Sequence, residues 1–446
     1  MFDFILRGGA VVTSAGAGPA DIGIAGGRIA ALARPGELTE GHRVSDVTGA
    51  LVLPGLVDAH VHLRDPGFTH KEDFRSGTMA AAAGGVTTVL AIPNTDPPIT
   101  TPAALDLVLD AARTKAVVDY GFFAGLVAAE PAGIDTFAGA PILAYDLHDE
   151  PYEYGTERWI EIFTRVQATG LPVCFYVNEA RLRAFHAEQL SGSELEQHER
   201  WVGSTPGALE VSCIGRVFAM AAQIPVPVVL RSVTTAAGLE HIRQLRRLLP
   251  GTPVTVETNP HYLVIAEPDL GRLGTRAHMA PPLRPADEQP SLWAAIADGT
   301  VDYIGTDHAP HAATEKAAAA GDLWRSPTGI VGLETWLPLL LTACADGRLR
   351  WTDLVRLCCE RPARTYGLWP RKGAVAIGAD ADLVVVDPTA RWQVDAARFY
   401  TRGDAGPFDG WTMVGRPVLT LSHGRVVMQD GKVDESPAGR LVTREA

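Results

Sequence analysis

The hydrophobic pattern of the chain changes twice along its length. Residues 1–53 contain short apolar runs separated by glycine, such as FILRGGAVV and DIGIAGGRIAAL. This alternation of apolar and turn residues over short distances predicts a small antiparallel sheet. The C-terminal stretch has the same texture, in DADLVVVDP and GRPVLTLSHGRVVMQDGKV. Both ends of the chain are therefore predicted to be β-structure.

Between these ends, strand-like runs alternate with longer helical runs that are rich in alanine and leucine. TTVLAIPN precedes TPAALDLVLDAARTKA, LPVCFYVN precedes EARLRAFHAEQL, and VPVVLRSV precedes AAGLEHIRQLRRLL. Alternating strands and helices predict an α/β protein with a parallel sheet. Their number over about 320 residues favours a closed (β/α)8 barrel over an open sheet.

Composition and charge narrow the class of protein. The chain has 446 residues, of which 46% are hydrophobic and 20% charged, the balance of a soluble globular protein. Its net charge of -13 argues against a nucleic-acid or anionic-membrane partner, although it leaves an anionic substrate open. MFDFILRGGAVV has an acid at position 3 and no long apolar core, so we expect no signal peptide, and no apolar run approaches the roughly 20 residues that span a bilayer. The five cysteines are scattered and odd in number, which predicts reduced thiols and a cytoplasmic location.

Two histidines spaced one residue apart follow the first strand-like run after residue 53. In GLVDAHVHLRDPG, His60 and His62 lie on the same face if the strand continues, where two imidazoles are good ligands for zinc. The alternative is two separate histidines, one of them bonded to the backbone and the other solvated. VDYIGTDHAPH places Asp307 at the end of another apolar strand, where a carboxylate can complete the same site. Asp307 could instead cap a helix, but the strand before it favours a strand-end site.

Longer motifs extend this picture. The segment GLVDAHVHLRDPGFTHKEDFRSGTMAAAAGGVTTVLAIPNTDPP resembles the start of the barrel in the cyclic amidohydrolases, which include dihydroorotases, allantoinases and hydantoinases. Five further segments resemble later parts of that family in the same order: APPLRP, GTDHAPH, TGIVGLET, RPARTYGL and KGAVAIGADADLVVVDP. Three motifs favour the dihydroorotase branch of the family: HLRDPG, IPNT and the segment that runs from EK to GLET. The resemblance implies a metal-bearing barrel at 54–372 and a β-sandwich built from 1–53 and 373–446.

The resemblance also implies roles for individual residues. Family members commonly hold two metals, one of them bound by the His-x-His pair and the aspartate of the eighth strand, which here are His60, His62 and Asp307. Asp307 would also act as the catalytic base. Arg64 and Asn94 match the positions that bind the substrate carboxylate in dihydroorotases. The structural alternative is a surface salt bridge for Arg64 and a turn residue in PNTDPP for Asn94.

The residues for a second metal do not carry over. The family commonly bridges its metals with a carboxylated lysine, but this chain has no lysine between residues 116 and 315. We therefore expect no carboxylated lysine. Asp146, with His148 beside it, is the local candidate for a replacement, and an ordinary loop carboxylate is the favoured interpretation.

Two further metal-binding histidines of the family are also missing. The strand-5 segment has Tyr176 and Val177 where a histidine is expected, and the strand-6 segment has Arg231 and Ser232. Arg231 either places positive charge where the second metal would lie, and so faces the substrate, or pairs with a neighbouring carboxylate. The other histidines of this region are predicted to be surface residues: His186, His198 and His241.

Two more positions bear on the substrate. His261 in ETNPHYL is a candidate substrate-facing or supporting residue, with a structural turn histidine as the alternative. Ala280 stands where family members often have an asparagine before Pro-Pro-Leu-Arg, which removes one possible substrate contact and leaves open a ring other than dihydroorotate.

The sequence as a whole predicts a metal-dependent hydrolase of a cyclic amide, imide or ureide, dihydroorotase-like and able to run in the direction of ring closure. It would bind one divalent ion, zinc or alternatively manganese, and a small substrate bearing a carboxylate. The resemblance further implies a homo-oligomer, either a dimer or a tetramer. The alternative is a catalytically inactive dihydroorotase-like scaffold or partner protein, which the missing lysine and histidines would favour.

Overall fold

The chain folds into helices and strands over nearly its whole length. The computed structural model describes residues 1–147 and 154–445, so His148 lies outside the described residues. The strands are β1 Phe2–Thr13, β2 Gly16–Ala25, β3 Arg28–Ala33, β4 Gly41–Asp46, β5 Leu51–Pro54, β6 Leu56–Val61, β7 Val86–Ala91, β8 Asp119–Gly125, β9 Ala144–Leu147, β10 Val173–Tyr176, β11 Val228–Arg231, β12 Val254–Thr258, β13 Tyr303–Ile304, β14 Leu383–Gln393, β15 Thr412–Ser422, β16 Arg425–Gln429 and β17 Lys432–Val433. The helices are α1 Phe74–Ala83, α2 Pro102–Lys115, α3 Thr156–Thr169, α4 Ala180–Gln189, α5 Gln197–Gly203, α6 Gly207–Gln223, α7 Ala236–Leu248, α8 Glu267–Leu273, α9 Gln289–Asp298, α10 Ala313–Ala318, α11 Leu333–Ala345, α12 Trp351–Val355 and α13 Arg361–Thr365.

The central strands β6 to β13 form one parallel sheet in sequential order. Its two ends meet, since Val61 pairs in parallel with His308 and the backbone N–H of His62 donates to the carbonyl of His308 at 2.9 Å. All six residues of β7 are buried, as expected for a strand covered on both faces. The (β/α)8 barrel predicted from the alternating pattern is confirmed.

The helix α2 illustrates how the outer layer is specified by the sequence. The side chain of Thr101 accepts a hydrogen bond from the backbone N–H of Ala104, and Pro102 occupies the first turn, where its missing N–H has no consequence. The buried side chains recur on one face, which packs on the barrel: Ala104, Leu105, Val108 and Ala112. Among the described residues, no helix combines the length and the apolarity needed to cross a bilayer.

The strands of the two chain ends form a second, nine-stranded mixed sheet. Its halves join where β5 pairs antiparallel with β14, with Val52 opposite Val385. The buried face of this sheet forms its own hydrophobic cluster, which includes Phe4, Ile22, Val52, Leu383 and Leu421. The predicted β-sandwich from both termini is confirmed, while the boundaries at 53 and 372 stay predictions.

One detail of the amino-terminal sheet differs from the antiparallel arrangement predicted for it. β4 and β5 both pair in parallel with β1, on the edge that β2 does not occupy. The buried carboxylate of Asp21 explains this crossing, because it accepts hydrogen bonds from the backbone N–H groups of Gly8, Gly36 and Leu38. These contacts fix the segment after β3 so that the chain passes to the far edge of β1 and does not form another hairpin.

A buried lysine joins the barrel to this second sheet. The ammonium of Lys372 contacts Asp119 at the start of β8, Asp380 at 2.9 Å and Asp382 at 2.7 Å. The imidazole of His423 also contacts Asp119, at 2.7 Å. Burial disfavours the ammonium, but the three carboxylates raise the pKa of Lys372 above its usual value. The cluster is therefore an ionic contact between the two layers, with the ammonium of Lys372 at its centre.

Candidate functional site

Three side chains that the sequence predicts as metal ligands meet at the mouth of the barrel. His60 lies on β6, His62 follows this strand, and Asp307 follows β13 next to the point where the sheet closes. The Oδ1 atom of Asp307 lies 3.2 Å from Nε2 of His60 and 3.1 Å from Nε2 of His62. Ligands about 2.0–2.2 Å from a tetrahedral zinc would be separated by roughly 3.3–3.6 Å. The ligand atoms thus have nearly the spacing that a metal ion requires.

The backbone at the site is held in an uncommon conformation. Asp307 and Arg64 both have positive φ, 49° and 61° respectively, a region that residues other than glycine seldom adopt. The buried carboxylate of Asp58 accepts hydrogen bonds from the backbone N–H of Thr306 at 3.1 Å and its hydroxyl at 2.6 Å. It also accepts one from the backbone N–H of His60 at 3.2 Å. Asp58 thereby ties the strand of the histidines to the residue before Asp307.

A second layer of side chains orients the histidines. Glu257 on β12 is fully buried, and its Oε1 atom lies 2.5 Å from Nδ1 of His60. The hydroxyl of Tyr303 donates to the other oxygen of Glu257 at 2.7 Å. A carboxylate behind a histidine fixes the orientation of the ring and makes its other nitrogen a better ligand. The Nε2 atom of His60 consequently faces Asp307.

The electrostatics of the three residues favour binding of a cation. Burial opposes ionisation of Asp307, yet His60 and His62 hold the pKa of its carboxyl well below the usual range. Burial lowers the pKa of His62 to about 4, so its imidazole is neutral at pH 7. Burial also opposes protonation of His60, but the carboxylates of Glu257 and Asp307 raise its pKa. The site therefore combines an ionised carboxylate with a neutral imidazole, as metal coordination requires.

These three side chains line a cavity of about 440 Å³, a volume typical of small-ligand sites. Arg64 and Asn94, predicted to bind a substrate carboxylate, line the same cavity. The Nε atom of Arg64 and the Oδ1 atom of Asn94 are buried there without hydrogen-bond partners. Burial lowers the pKa of Arg64 to about 10, so the guanidinium is still charged at pH 7. Ala280 contributes an apolar part of the wall.

Arg231 and Asp146 form a buried ion pair inside the barrel. The NH1 atom of Arg231, at the end of β11, lies 3.1 Å from Oδ1 of Asp146 on β9, and both side chains are 2% exposed. The guanidinium lies over the ring of Phe123, 5.1 Å from its centroid. Burial opposes the charge of Arg231, but Asp146 raises its pKa well above the ordinary value. Of the two interpretations of Arg231, the pairing with a carboxylate is present.

No second set of metal ligands forms at the ends of β9 to β11 within the described ranges 1–147 and 154–445. In that part of the chain two groups have ligand atoms close enough for an ion. One is His60, His62 and Asp307, and the other contains Asp119, Asp380 and His423, whose two carboxylates already contact the ammonium of Lys372. The number of ions that the site holds stays a prediction.

Two predicted site residues do not reach the cavity wall. Arg231 and His261 are both buried, but neither is among the residues that line the cavity. Burial lowers the pKa of His261 to about 4, and its ring packs on Tyr262 with centroids 4.2 Å apart. Their contact with a substrate stays a prediction. The histidines predicted to be surface residues lie half-buried on helices α4, α5 and α7: His186, His198 and His241.

Several residues of the site were missed by the sequence analysis. Glu257 had a detectable signal, a carboxylate inside the apolar strand run PVTVET. Asn178 follows the strand-5 segment two residues after Tyr176, and both side chains line the cavity. His311 also lines it, and its Nε2 atom donates to the carbonyl of Thr328 at 3.0 Å. The contribution of the loop around Thr328 to the cavity could not be predicted, because nothing in the sequence of this loop indicates which strand end it covers.

Comparisons with known proteins agree with this geometry. The model of the amidohydrolase family matches residues 51–172 and 248–427. An allantoinase from Rubrobacter xylanophilus is 34% identical over 99% of this chain and 97% of the relative. A dihydroorotase from Methanothermobacter thermautotrophicus is 34% identical over 95% and 94%. The solved structure of an L-hydantoinase (dihydropyrimidinase) from Arthrobacter aurescens matches with a TM-score of 0.94 at 31% identity, covering 100% of both chains.

Proposed function

This chain belongs to the amidohydrolase family, and we propose that it hydrolyses a C–N bond of a cyclic amide, imide or ureide, or catalyses the reverse ring closure. One divalent metal ion, bound by His60, His62 and Asp307, would serve the reaction. The observation that carries the proposal is the meeting of these three ligands in a cavity that also exposes Arg64 and Asn94. The named relatives, an allantoinase, an L-hydantoinase and a dihydroorotase, support a cyclic amide as the substrate class.

The chemistry of the donor set supports zinc, with manganese as the alternative. Two imidazoles and one carboxylate are a frequent ligand set of catalytic zinc, which leaves a position for water. A divalent ion held by these residues would supply Lewis-acid chemistry, since such an ion polarises a carbonyl oxygen and lowers the pKa of a water molecule to about 7. His60, His62 and Asp307 would hold the ion, and Glu257 would keep the ring of His60 turned towards it.

The side chains of this protein would carry out positioning and proton transfer. Arg64 and Asn94 would bind the carboxylate of the substrate and place its ring carbonyl beside Asp307. A water molecule attacks the carbonyl carbon, and Asp307 accepts the proton that this water loses. The C–N bond then breaks, and Asp307 returns the proton to the leaving nitrogen. Ring closure follows the same steps in reverse.

The Arg231 and Asp146 pair supports a single metal. The guanidinium lies inside the barrel at the end of β11, where the family resemblance implies a metal-binding histidine. The guanidinium lies where a second cation would lie, and Asp146, the local candidate for a bridging carboxylate, is already paired with it. Arg231 would act on the substrate electrostatically from behind the cavity wall, and His261, whose pKa burial lowers, would support the site as a neutral imidazole. No carboxylated lysine takes part in this proposal.

The rival proposal is a catalytically inactive scaffold, and the observation that favours it is that the described residues form no second ligand set in the barrel mouth. An intact pair of histidines with an ionised aspartate and its supporting Glu257 favours the enzyme. The five buried free thiols are consistent with the proposed reducing, cytoplasmic location. The proposal also includes a homo-oligomer, dimer or tetramer, which the family resemblance suggests.

The first test is the metal content per chain, measured by plasma mass spectrometry on protein purified without chelators. We expect about one divalent ion per chain in the wild type, loss of the ion in Asp307→Ala, and retention in Asp110→Ala, an exposed position on α2. A screen with dihydroorotate, hydantoins, allantoin and simple cyclic imides then identifies the ring. Two ions per chain would contradict the mononuclear site. No ion after incubation with zinc or manganese, together with no turnover, would favour the scaffold.

A further inference from the structure

One polar residue of the cavity has no role in the proposed reaction. Arg64, Asn94 and Asn178 all line the cavity, and each holds a buried polar atom that lacks a hydrogen-bond partner. The first two are assigned to the substrate carboxylate. Asn178 is 9% exposed, and its unpaired atom is the side-chain oxygen Oδ1. A buried amide oxygen without a partner destabilises the free protein, so a ligand that donates to it gains affinity.

The position of Asn178 in the barrel sets it apart from the other two residues. Arg64 and Asn94 follow β6 and β7, the first two strands of the barrel, whereas Asn178 follows β10, the fifth. In a closed barrel of eight strands, the first and fifth strands lie on opposite sides. The cavity is therefore bounded by a guanidinium on one side and by the amide of Asn178 on the other.

Local structure explains why this side chain is held towards the cavity. The backbone N–H of Asn178 donates to the carbonyl of Tyr176 at 2.9 Å, which forms a tight turn at the end of the strand. An asparagine that serves only a turn usually pairs its side-chain oxygen with a nearby backbone N–H. The Oδ1 atom of Asn178 has no such partner. Its oxygen is therefore available to a group that enters the cavity.

We propose that Asn178 is a substrate-binding residue whose side-chain oxygen accepts a hydrogen bond from a ring N–H outside the scissile bond. The substrate ring would then be held at two ends, by Arg64 at its carboxylate and by Asn178 at this N–H. The inference rests on the proposed function and adds the orientation of the ring. It also gives the end of β10 a role in specificity, at the place where the family resemblance implies a metal ligand.

The test compares two rings that differ by one methyl group. One is a carboxylate-bearing cyclic ureide that the wild type hydrolyses, and the other is the same ring methylated at the nitrogen outside the scissile bond. We expect methylation to lower kcat/KM of the wild type about tenfold or more. In Asn178→Ala this discrimination is lost, because the acceptor is absent. In Asn178→Asp, which keeps an acceptor oxygen at that place, it is retained.

A matched control comes from the opposite side of the cavity. Asn94→Ala lowers kcat/KM for both rings by the same factor and leaves their ratio unchanged. Thermal unfolding of each variant shows whether the fold is preserved. Discrimination that persists in Asn178→Ala, or that is lost equally in the alanine and aspartate variants, would overturn the inference.

Equilibrium binding separates this inference from the proposed reaction. The two rings are titrated by calorimetry into wild-type protein and into Asn178→Ala, each with and without added zinc. Tighter binding of the unmethylated ring to the wild type alone supports the role of Asn178, even if no ring is hydrolysed and the proposed reaction fails. Equal binding of both rings, or binding of neither, overturns the role of Asn178.

Discussion

The Nδ1 atom of His60 lies 2.5 Å from the Oε1 atom of Glu257, and this contact orients the candidate metal site. Glu257 is fully buried, and the hydroxyl of Tyr303 and the side-chain amide of Asn259 also donate to it. A buried carboxylate held by three groups keeps a fixed position. The ring of His60 is therefore directed by the barrel interior before any ion binds.

Replacing Glu257 with glutamine should weaken metal binding. The variant keeps the shape of the side chain but loses the charge behind His60, and such changes typically lower metal affinity by about 10- to 100-fold. Competition with a chelator of known affinity measures this change. Glu240→Gln, an exposed position on α7, is the control and should leave the affinity unchanged. Equal affinities of wild type and Glu257→Gln would contradict the supporting role.

Asp307→Asn should lose turnover even when the site is saturated with metal. The amide can still face the ion, but it cannot accept a proton from the attacking water, so a loss of at least about 10²-fold is expected. Measuring kcat over a series of zinc concentrations separates weaker metal binding from lost proton transfer. A rate that returns to the wild-type value at high zinc would show that Asp307 serves only as a ligand.

Arg64→Met should act on substrates with a carboxylate and spare those without one. Removing a charge-assisted hydrogen bond costs about 1.5–3 kcal/mol, which corresponds to a rise in KM of roughly 10- to 150-fold. Kinetics with a carboxylate-bearing ring and with its uncharged analogue provide the comparison. An equal rise in KM for both rings would mean that Arg64 maintains the shape of the cavity and does not bind the substrate carboxylate.

Removing one partner of the Arg231 and Asp146 ion pair should destabilise the protein more than replacing both residues with apolar ones. Either Asp146→Asn or Arg231→Met leaves a buried group without its partner, and such single changes typically destabilise a protein by about 3–5 kcal/mol. The double variant Asp146→Leu with Arg231→Met should recover much of this loss. Urea unfolding of the four proteins gives the free energies. Single variants within about 1 kcal/mol of the wild type would refute a buried pair.

Glu334 should make stability depend on pH. Burial raises the pKa of Glu334 from 4.5 to about 8, although the backbone N–H groups of Tyr400 and Thr401 oppose this shift. Between these two values the folded protein holds a proton that the unfolded chain releases. The stabilisation is thus complete below about pH 4.5 and is lost as the pH rises through about 8. Urea unfolding at pH 5.5 and 8 should show this loss in the wild type and a smaller one in Glu334→Gln.

Periodicity in the sequence was sufficient to predict the barrel. Runs such as TTVLAIPN are apolar throughout because both faces of each barrel strand are covered, and turn residues mark their ends. Chemistry-bearing residues at those ends predicted the meeting of His60, His62 and Asp307, since the carboxyl ends of parallel strands face the same way.

Contacts between distant strands were beyond the reach of the sequence. Arg231 and Asp146 are separated by 85 residues, and two interpretations of the arginine were equally consistent with its neighbours. Glu257 stood in a predicted strand, but which histidine it faces depends on the stagger of β12 against β6. The parallel course of β4 and β5 along β1 depends on the contacts of Asp21, which link residues far apart in the chain.

The pairing of β5 with β14 has a consequence for how the chain is made. Val52 is synthesised about 330 residues before its partner Val385. The edge of β5 that pairs with β14 therefore stays unpaired while the whole barrel is synthesised. An open edge is a site for pairing with the wrong strand. A chain that stops before residue 383 would contain every candidate metal ligand, and yet it would present this edge to other copies of itself.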